Sequence, residues 1–254
     1  MIPLKDNVPT AGFPAVTIGL IALCVLVFGW QLTLSGDEDT IGGPNGESIV
    51  VGISERDELA ARYGTSPARI AGGDEEVELD GRPPPWLSPF TAVPVAGDLL
   101  HLAINLLFLL IFGRTLELRL GRLRFVALAV AGAGASIGAQ ALAEPETGEL
   151  VVGAGAPLAC VLGAYAALYP RAGVVTLTLI PLFGTVIEVP GLMMMAAWLA
   201  IGLIPAVAPL VGPDLLVSTG LEYLGYGAAL AVGVALARPL SRGRPAADGR
   251  LVPT

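Results

Sequence analysis

Charge is scarce in this 254-residue chain: Asp, Glu, Lys and Arg make up 14% of it, against about 25% in ordinary soluble domains. Bases are scarcer than acids, 14 against 22, for a net charge of −8. That excludes the basic face nucleic-acid binding needs. There is one histidine, His101, so every mechanism that needs two is ruled out. The two cysteines, Cys24 and Cys160, fall in apolar runs, which excludes a disulfide scaffold and a multi-cysteine zinc site. Neither a metal nor any other cofactor is expected. Glycine and proline are plentiful, 33 and 21, but follow no period, so collagen-like and low-complexity readings fail.

What is abundant is apolar surface: 54% of residues are hydrophobic and the mean hydropathy is +0.74. A soluble core of this size cannot hide that much, so the expected solvent, and first partner, is the lipid bilayer. A spanning helix needs ~20 largely apolar residues. Six runs qualify or come close: 13–34, 99–113 (extendable through Leu116), 125–143, 150–170, 189–213 and 215–237, the last carrying Glu222 as its one charge. The first run is too long for a signal-peptide core and no small-residue cleavage site follows it. A seventh apolar stretch, 172–187, holds Pro181 and Gly184 and runs into Glu188; these favour an interfacial segment over a span. Asp98 and Asp214 stand just before two of the runs, where a carboxylate can cap free amides.

Charge placement orients the bundle. Segment 35–98 holds 13 acidic and four basic residues, and the link 143–149 is purely acidic. Arg114, Arg119, Arg122 and Arg124 follow the second run, Arg171 the fourth, and Arg238, Arg242, Arg244 and Arg250 the last. The alternation fits six spans with both termini cytoplasmic and loop 35–98 outside. Residues 1–12 are then a cytoplasmic N-terminus, 13–237 a membrane domain and 238–254 a cytoplasmic tail, in a multi-pass protein of the plasma (inner) membrane. Within the outer loop, 40–52 reads as mobile and irregular, 55–63 as a helix ended by Gly64, 72–85 as an extended linker, and 86–94 as a surface segment anchored by Trp86 and Phe90.

Polar residues inside apolar runs are the default functional candidates. His101 and Asn105 are four apart and share one helix face. They are expected to face the fourth helix, either to polarise a carbonyl or as an interhelical hydrogen-bond pair. Gly153-Ala154-Gly155-Ala156-Pro157 opens the fourth run; it is no dinucleotide loop, since position 158 is Leu and no strand precedes it. Small pairs at four-residue spacing, Gly134/Gly138, Ala159/Gly163 and Ala229/Gly233, indicate close helix packing. Glu117 and Arg119 are two apart, so they either pair in a turn or form a solvated helix end.

These features, in this order, resemble the rhomboid family of intramembrane serine proteases. The resemblance rests on Tyr63-Gly64 with Pro67-Ala68, Phe90-Thr91, His101-Leu-Ala-Ile-Asn105, Glu117-Leu-Arg119-Leu-Gly121, Val161-Leu-Gly-Ala-Tyr165, Tyr169-Pro-Arg171 and the Pro181 segment. It covers about 55–254. It implies an all-α, six-helix membrane bundle with a long loop between helices 1 and 2. His101 and Asn105 match the family's oxyanion-binding residues, and Glu117, Arg119, Gly121, Gly153, Gly163 and Gly233 match structural positions.

The departures concern the chemistry. The family's fourth helix opens with Gly-x-Ser-Gly, whose Ser is the nucleophile; here Gly155 takes that place. The family's base is a His early in the sixth helix; here matching the small residues puts Tyr226 there, with Leu224 or Gly225 reached by one or two residues of slip. A further family His falls at Ala96. Glycine offers no nucleophilic atom, and tyrosine, with an ordinary pKa near 10, is a poor base at neutral pH. The family is a hydrolase family, yet this chain is expected to be an inactive, pseudoprotease-like member. Its expected partners are transmembrane helices of client proteins. The alternatives are a protease with a displaced nucleophile, Ser136 or Ser88, or a small transporter or scaffold.

The topology has a direct test. With Cys24 and Cys160 replaced by Ala, single cysteines go in at Ser48 and Ser241. A membrane-impermeant thiol reagent on intact cells should label the first and not the second. The reverse pattern inverts the orientation.

Overall fold

Among the described residues, three helices are long and apolar enough to cross a membrane: Leu99–Leu120, Arg122–Ala143 and Leu221–Ser241. Three shorter apolar helices, Ala15–Gln31, Gly155–Leu168 and Gly191–Ala200, accompany them. The computed structural model describes residues 2–35, 39–42, 48–52, 54–73, 81–180, 183–202 and 213–242. Chain order is β1 (Ile2–Asp6), α1 (Ala15–Gln31), β2 (Asp39–Gly42), β3 (Ser48–Gly52), α2 (Glu55–Tyr63), α3 (Pro67–Ala71), α4 (Ser88–Thr91), α5 (Leu99–Phe108), a π-helical turn (Leu109–Gly113), α6 (Arg114–Leu120), α7 (Arg122–Ala143), α8 (Gly155–Leu168), β4 (Gly173–Ile180), β5 (Phe183–Pro190), α9 (Gly191–Gly202) and α10 (Pro213–Ser241).

The core is a contiguous apolar cluster centred on α8, whose residues from Leu158 to Leu162 are all buried. Phe112, Leu116 and Phe125 pack around it, with Tyr165 set edge-on to Phe112 at 4.8 Å between ring centres. Helices α8 and α10 meet backbone to backbone. A Cβ on Gly163 would overlap the Leu230 carbonyl, and one on Gly233 would overlap the Cys160 carbonyl. Ala159 and Ala229 are fully buried beside them. The third small pair behaves otherwise: Gly134 and Gly138 have open space where a Cβ would go. Gly132 is the α7 glycine that packs closely, against Cys160.

Several elements differ from expectation. Within 40–52, the described residues 40–42 and 48–52 form strands rather than irregular chain. Strands β2 and β3 pair antiparallel, because Ile49-Val50-Val51 is a short β-branched run. The N-terminal segment, given no element from sequence, forms β1, which pairs antiparallel with β4 in a three-stranded sheet of order β1-β4-β5. Most of 172–187 falls in the β4–β5 hairpin and forms no helix. Its alternating Val174-Val175-Thr176-Leu177-Thr178 pattern suits a strand; Pro181 lies outside the described residues. The fourth helix starts only at Gly155 and has 14 residues. Helix α9 is described to Gly202, so the rest of 189–213 lies outside. The sixth helix is longer than expected, from Pro213 to Ser241.

Local signals held elsewhere. Helix 55–63 ends at Gly64, with Ser54 accepting from the Asp57 amide. Asp98 caps α5 by accepting from the His101 amide at 2.8 Å; the Asp214 side chain lies outside the described residues. Glu117, in contrast, is no solvated helix end. It is 2% exposed and accepts from the amides of Val16 (2.9 Å) and Thr17 (2.7 Å) and from the Thr17 hydroxyl (2.8 Å). It therefore caps α1, whose own N-cap is Pro14 and has no side-chain cap. Asp6 anchors β1 to the bundle by accepting from Thr115 (2.7 Å) and Tyr165 (2.9 Å). Burial pushes the Asp6 carboxyl above its ordinary value, against the downward pull of those bonds.

Gly233→Ala should lower detergent-solubilised stability by about 1–3 kcal/mol, the cost of forcing atoms into a filled interface. Gly134→Ala should change it by no more than ~1 kcal/mol, since its Cβ meets nothing. Thermal unfolding of both in one detergent checks the pair; equal losses would sink this account of the α8–α10 contact.

Candidate functional site

The loop before α5 and the link before α8 are pinned to each other. The Thr65 and Val151 backbones bond reciprocally, at 3.1 and 2.7 Å. The Gly153 amide donates to the Ala92 carbonyl at 2.9 Å. Gly153 has φ +103°, a region L side chains avoid, so that turn depends on glycine. Arg69, buried among the loop's apolar residues, donates to the carbonyls of Gly64 (3.2 Å) and Pro83. Desolvation lowers its pKa from the usual arginine value. Gln31 of α1 holds Ala96 from both sides, donating to its carbonyl and accepting from its amide.

Between these segments lies a cavity of about 180 Å³ at the end of the bundle where α5 and α8 begin. His101, Asn105, Gln140, Glu222 and residues 149–154 are among its lining. His101 and Asn105 share it, as their spacing predicts, but they do not both turn to α8. Asn105 is buried and accepts from the Trp198 indole N–H of α9 at 2.9 Å. His101 is exposed, and among the described residues its ring has no hydrogen bond. The correction has a simple reason: α9 supplies an indole donor within reach of Asn105, whereas Ala154, Gly155 and Ala156 at the start of α8 supply no side-chain donor.

Gly155 is the first residue of α8. A Cβ built on it would lie 2.5 Å from the Tyr226 hydroxyl oxygen and 2.8 Å from its Cζ. The Tyr226 ring therefore fills the space a side chain at 155 would need. Tyr226 is buried, packs against the tilted Trp198 ring at 5.4 Å and edge-on to Tyr223 at 5.8 Å between ring centres, and donates its hydroxyl to the Glu222 carboxylate one turn earlier. Gln140 donates to Ser136 at 3.2 Å one turn away on α7. Gly225 backs onto both, since a Cβ there would overlap the Gln140 and Ser136 side-chain ends. Of the residues picked from sequence, His101, Asn105, Gly153, Gly155 and Tyr226 gather at this end of the bundle. Glu117 and Gly121 sit at the far end of the α5–α6 helix, and Gly163 and Gly233 form the α8–α10 seam. Arg119, near them in sequence, is half-buried.

Glu222 stands out in the sequence only as the one charge of its run, without its partner. Two contributors have no place in the sequence reading. Gln140 could have been found, as a polar residue four apart from Ser136 within an apolar run. Trp198 has no such signal, being one apolar residue among many. Among the described residues no group of His, Cys, Asp and Glu could hold a metal ion.

Residues 84–243 match the family model described as Rhomboid domain. No curated protein and no solved structure matches the chain.

The Asn105–Trp198 bond should show coupling. Asn105→Leu alone strands a buried indole donor, at a cost on the order of 1 kcal/mol. In a cycle with Trp198→Phe, the two losses should fall short of additive by about the same amount. Strict additivity in detergent unfolding would mean that the bond stabilises nothing.

Proposed function

The chain belongs to the rhomboid family, and on that premise we propose that it is a non-hydrolytic member that binds transmembrane segments of other membrane proteins. Three helices fit to cross the bilayer and three shorter apolar ones make it a membrane protein. The finer topology belongs to the proposal: six spans, both ends cytoplasmic, in the plasma (inner) membrane.

The observation that carries the reading is the contact of Tyr226 with Gly155. By resemblance these are the positions of the base and the nucleophile. Peptide hydrolysis by that route needs an oxygen nucleophile and a group to take its proton. Position 155 has no side chain, and the tyrosine ring occupies the space for one. The Tyr226 hydroxyl is engaged as a donor to Glu222, the wrong polarity for a base. The sole histidine, His101, stands at the oxyanion-binding position of the resemblance. In a serine protease dissected by mutation, losing such groups costs on the order of a millionfold in rate. A polar cavity with His101 and Asn105 but no nucleophile can still hold a carbonyl of an unwound helix. That supports binding without cleavage.

The displaced-nucleophile alternative draws no support from the geometry. Ser88 is buried and donates to Thr65 and the Pro85 carbonyl, both at 2.8 Å. Ser136 is buried against Gln140. Neither bonds to His101. A proton or cation path also has little to run on, since the one carboxylate of the last run, Glu222, is paired with Tyr226.

A fluorophosphonate probe on the purified protein tests the reading, with stability measured alongside. The wild type should not label. Gly155→Ser alone should destabilise, because its side chain meets the Tyr226 ring, and should not label. Gly155→Ser with Tyr226→His should recover part of that stability, since the smaller ring makes room, and is the one combination with a route to labelling. Wild-type labelling that vanishes in Ser88→Ala or Ser136→Ala would overturn the proposal.

A further inference from the structure

Apart from the polar cavity, α1 and α7 border a groove of about 500 Å³. Val16, Gly19, Leu20 and Leu23 form one wall, Phe125 to Ala133 the other, and Phe90, Val93, Pro94 and Pro157 the end nearest α4. Its one polar residue is Thr91, whose hydroxyl already donates to the Tyr63 carbonyl at 2.8 Å. The groove thus offers no polar partner to a peptide or a headgroup. It suits hydrocarbon.

Its other end meets charge. Arg122 lies one turn before Phe125 and Val126 on the same face of α7. It is exposed, and among the described residues no ion pair or hydrogen bond engages it. Its neighbour Arg124 is engaged, donating to the carbonyls of Leu240 (2.7 Å) and Arg242 (2.9 Å) at the end of α10. The positive-inside pattern assigns this end to the cytoplasmic leaflet. We propose that the α1–α7 groove is a binding site for an anionic phospholipid of that leaflet, one acyl chain lying between α1 and α7 and the headgroup phosphate on Arg122.

The volume selects the occupant. A helix ~10 Å across fills about 500 Å³ in roughly one turn, so a client span cannot enter, whereas a single acyl chain can run the length. Lipid tails are as apolar as the groove walls, so no hydrophobic gain separates this chain from bulk lipid. The preference therefore comes from the charge at Arg122, worth roughly a fivefold enrichment for one basic side chain at an anionic surface. The inference goes beyond the proposed function; it rests on the orientation proposed there and not on the absence of hydrolysis.

The test reconstitutes the full chain in phosphatidylcholine nanodiscs. They carry a minority of phosphatidylglycerol with a diazirine in its acyl chain. After irradiation, adducts are mapped by peptide mass spectrometry. Adducts are expected on α1 and α7 within residues 16–23 and 125–133. Arg122→Gln should lower their yield roughly fivefold and Arg122→Lys should restore it. Gly19→Phe should abolish them by filling the groove; a Cβ at Gly19 meets nothing, so the unfolding midpoint should hold. Val130→Trp, at an exposed position on the other wall, is the second filling variant should Gly19→Phe unfold. Equal yields from a phosphatidylcholine probe, an unchanged yield in Arg122→Gln, or adducts that survive the filling variants would overturn the proposal. So would protein–protein cross-links from a photoreactive residue at Val126, which would give the groove to a second copy or a client.

Discussion

The backbone-to-backbone seam of α8 and α10 is the constraint on which the rest of the site depends. In lipid there is no hydrophobic force to press two helices together, so close association relies on small residues that let the backbones touch. Gly163 against Leu230 and Gly233 against Cys160 leave no room for a Cβ at either position. These two close contacts lock α8 against α10 and set their register. Leu230 lies one turn beyond Tyr226, and Gly163 about two turns beyond Gly155. Fixing the first pair brings Tyr226 over the start of α8. The contact with Gly155 is thus a consequence of packing further along.

From Tyr226 the consequences spread sideways. Its ring packs against Trp198, and Trp198 reaches Asn105, so four helices converge on one aromatic plug. Its hydroxyl meets Glu222. An ionisable side chain inside a membrane helix is costly unless it has a partner or water. The tyrosine supplies the partner and the small polar cavity supplies space for water. One residue therefore satisfies a carboxylate, fills the space over a glycine and wedges α9 against α10. Exchanging it touches all three, which is why its effect with Gly155 is read as coupling.

Much of this could be read in advance, and the remainder divides by physical cause. The apolar runs, the helix 55–63, the Asp98 cap and the approach of Gly163 and Gly233 depend on local composition or on spacing within one helix. The strand pairing of β1 with β4 does not, because five residues of ordinary composition become a strand only when a distant edge is offered. The hairpin over 172–187 was hidden by hydropathy, which cannot tell an apolar strand from an apolar helix of similar length. Asn105 is expected to face α8, and its side chain accepts from Trp198 of α9. Helix periodicity gives the face of a residue, whereas its partner depends on which neighbour has a matching donor at the same depth. Gly134 and Gly138 carry the spacing of an interface and face open space, since spacing marks a possible contact and not the presence of a second helix.

Glu117 makes the division between scaffold and chemistry concrete. Read along the chain, Glu117 and Arg119 look like a charged helix end. In space, the Glu117 carboxylate crosses about a hundred residues of sequence to hold the first turn of α1, whose amides would otherwise go unsatisfied at the edge of the apolar layer. Two residues past Arg119, Gly121 takes φ +82° and lets the chain reverse directly into α7. The residues that carry the family resemblance here are thus of two kinds. Glu117, Gly121, Gly163 and Gly233 hold helices together whatever happens at the cavity. A nucleophile and its base contribute to the reaction and little to the packing. The first kind can persist without the second, and the bundle then keeps both its packing and its polar cavity.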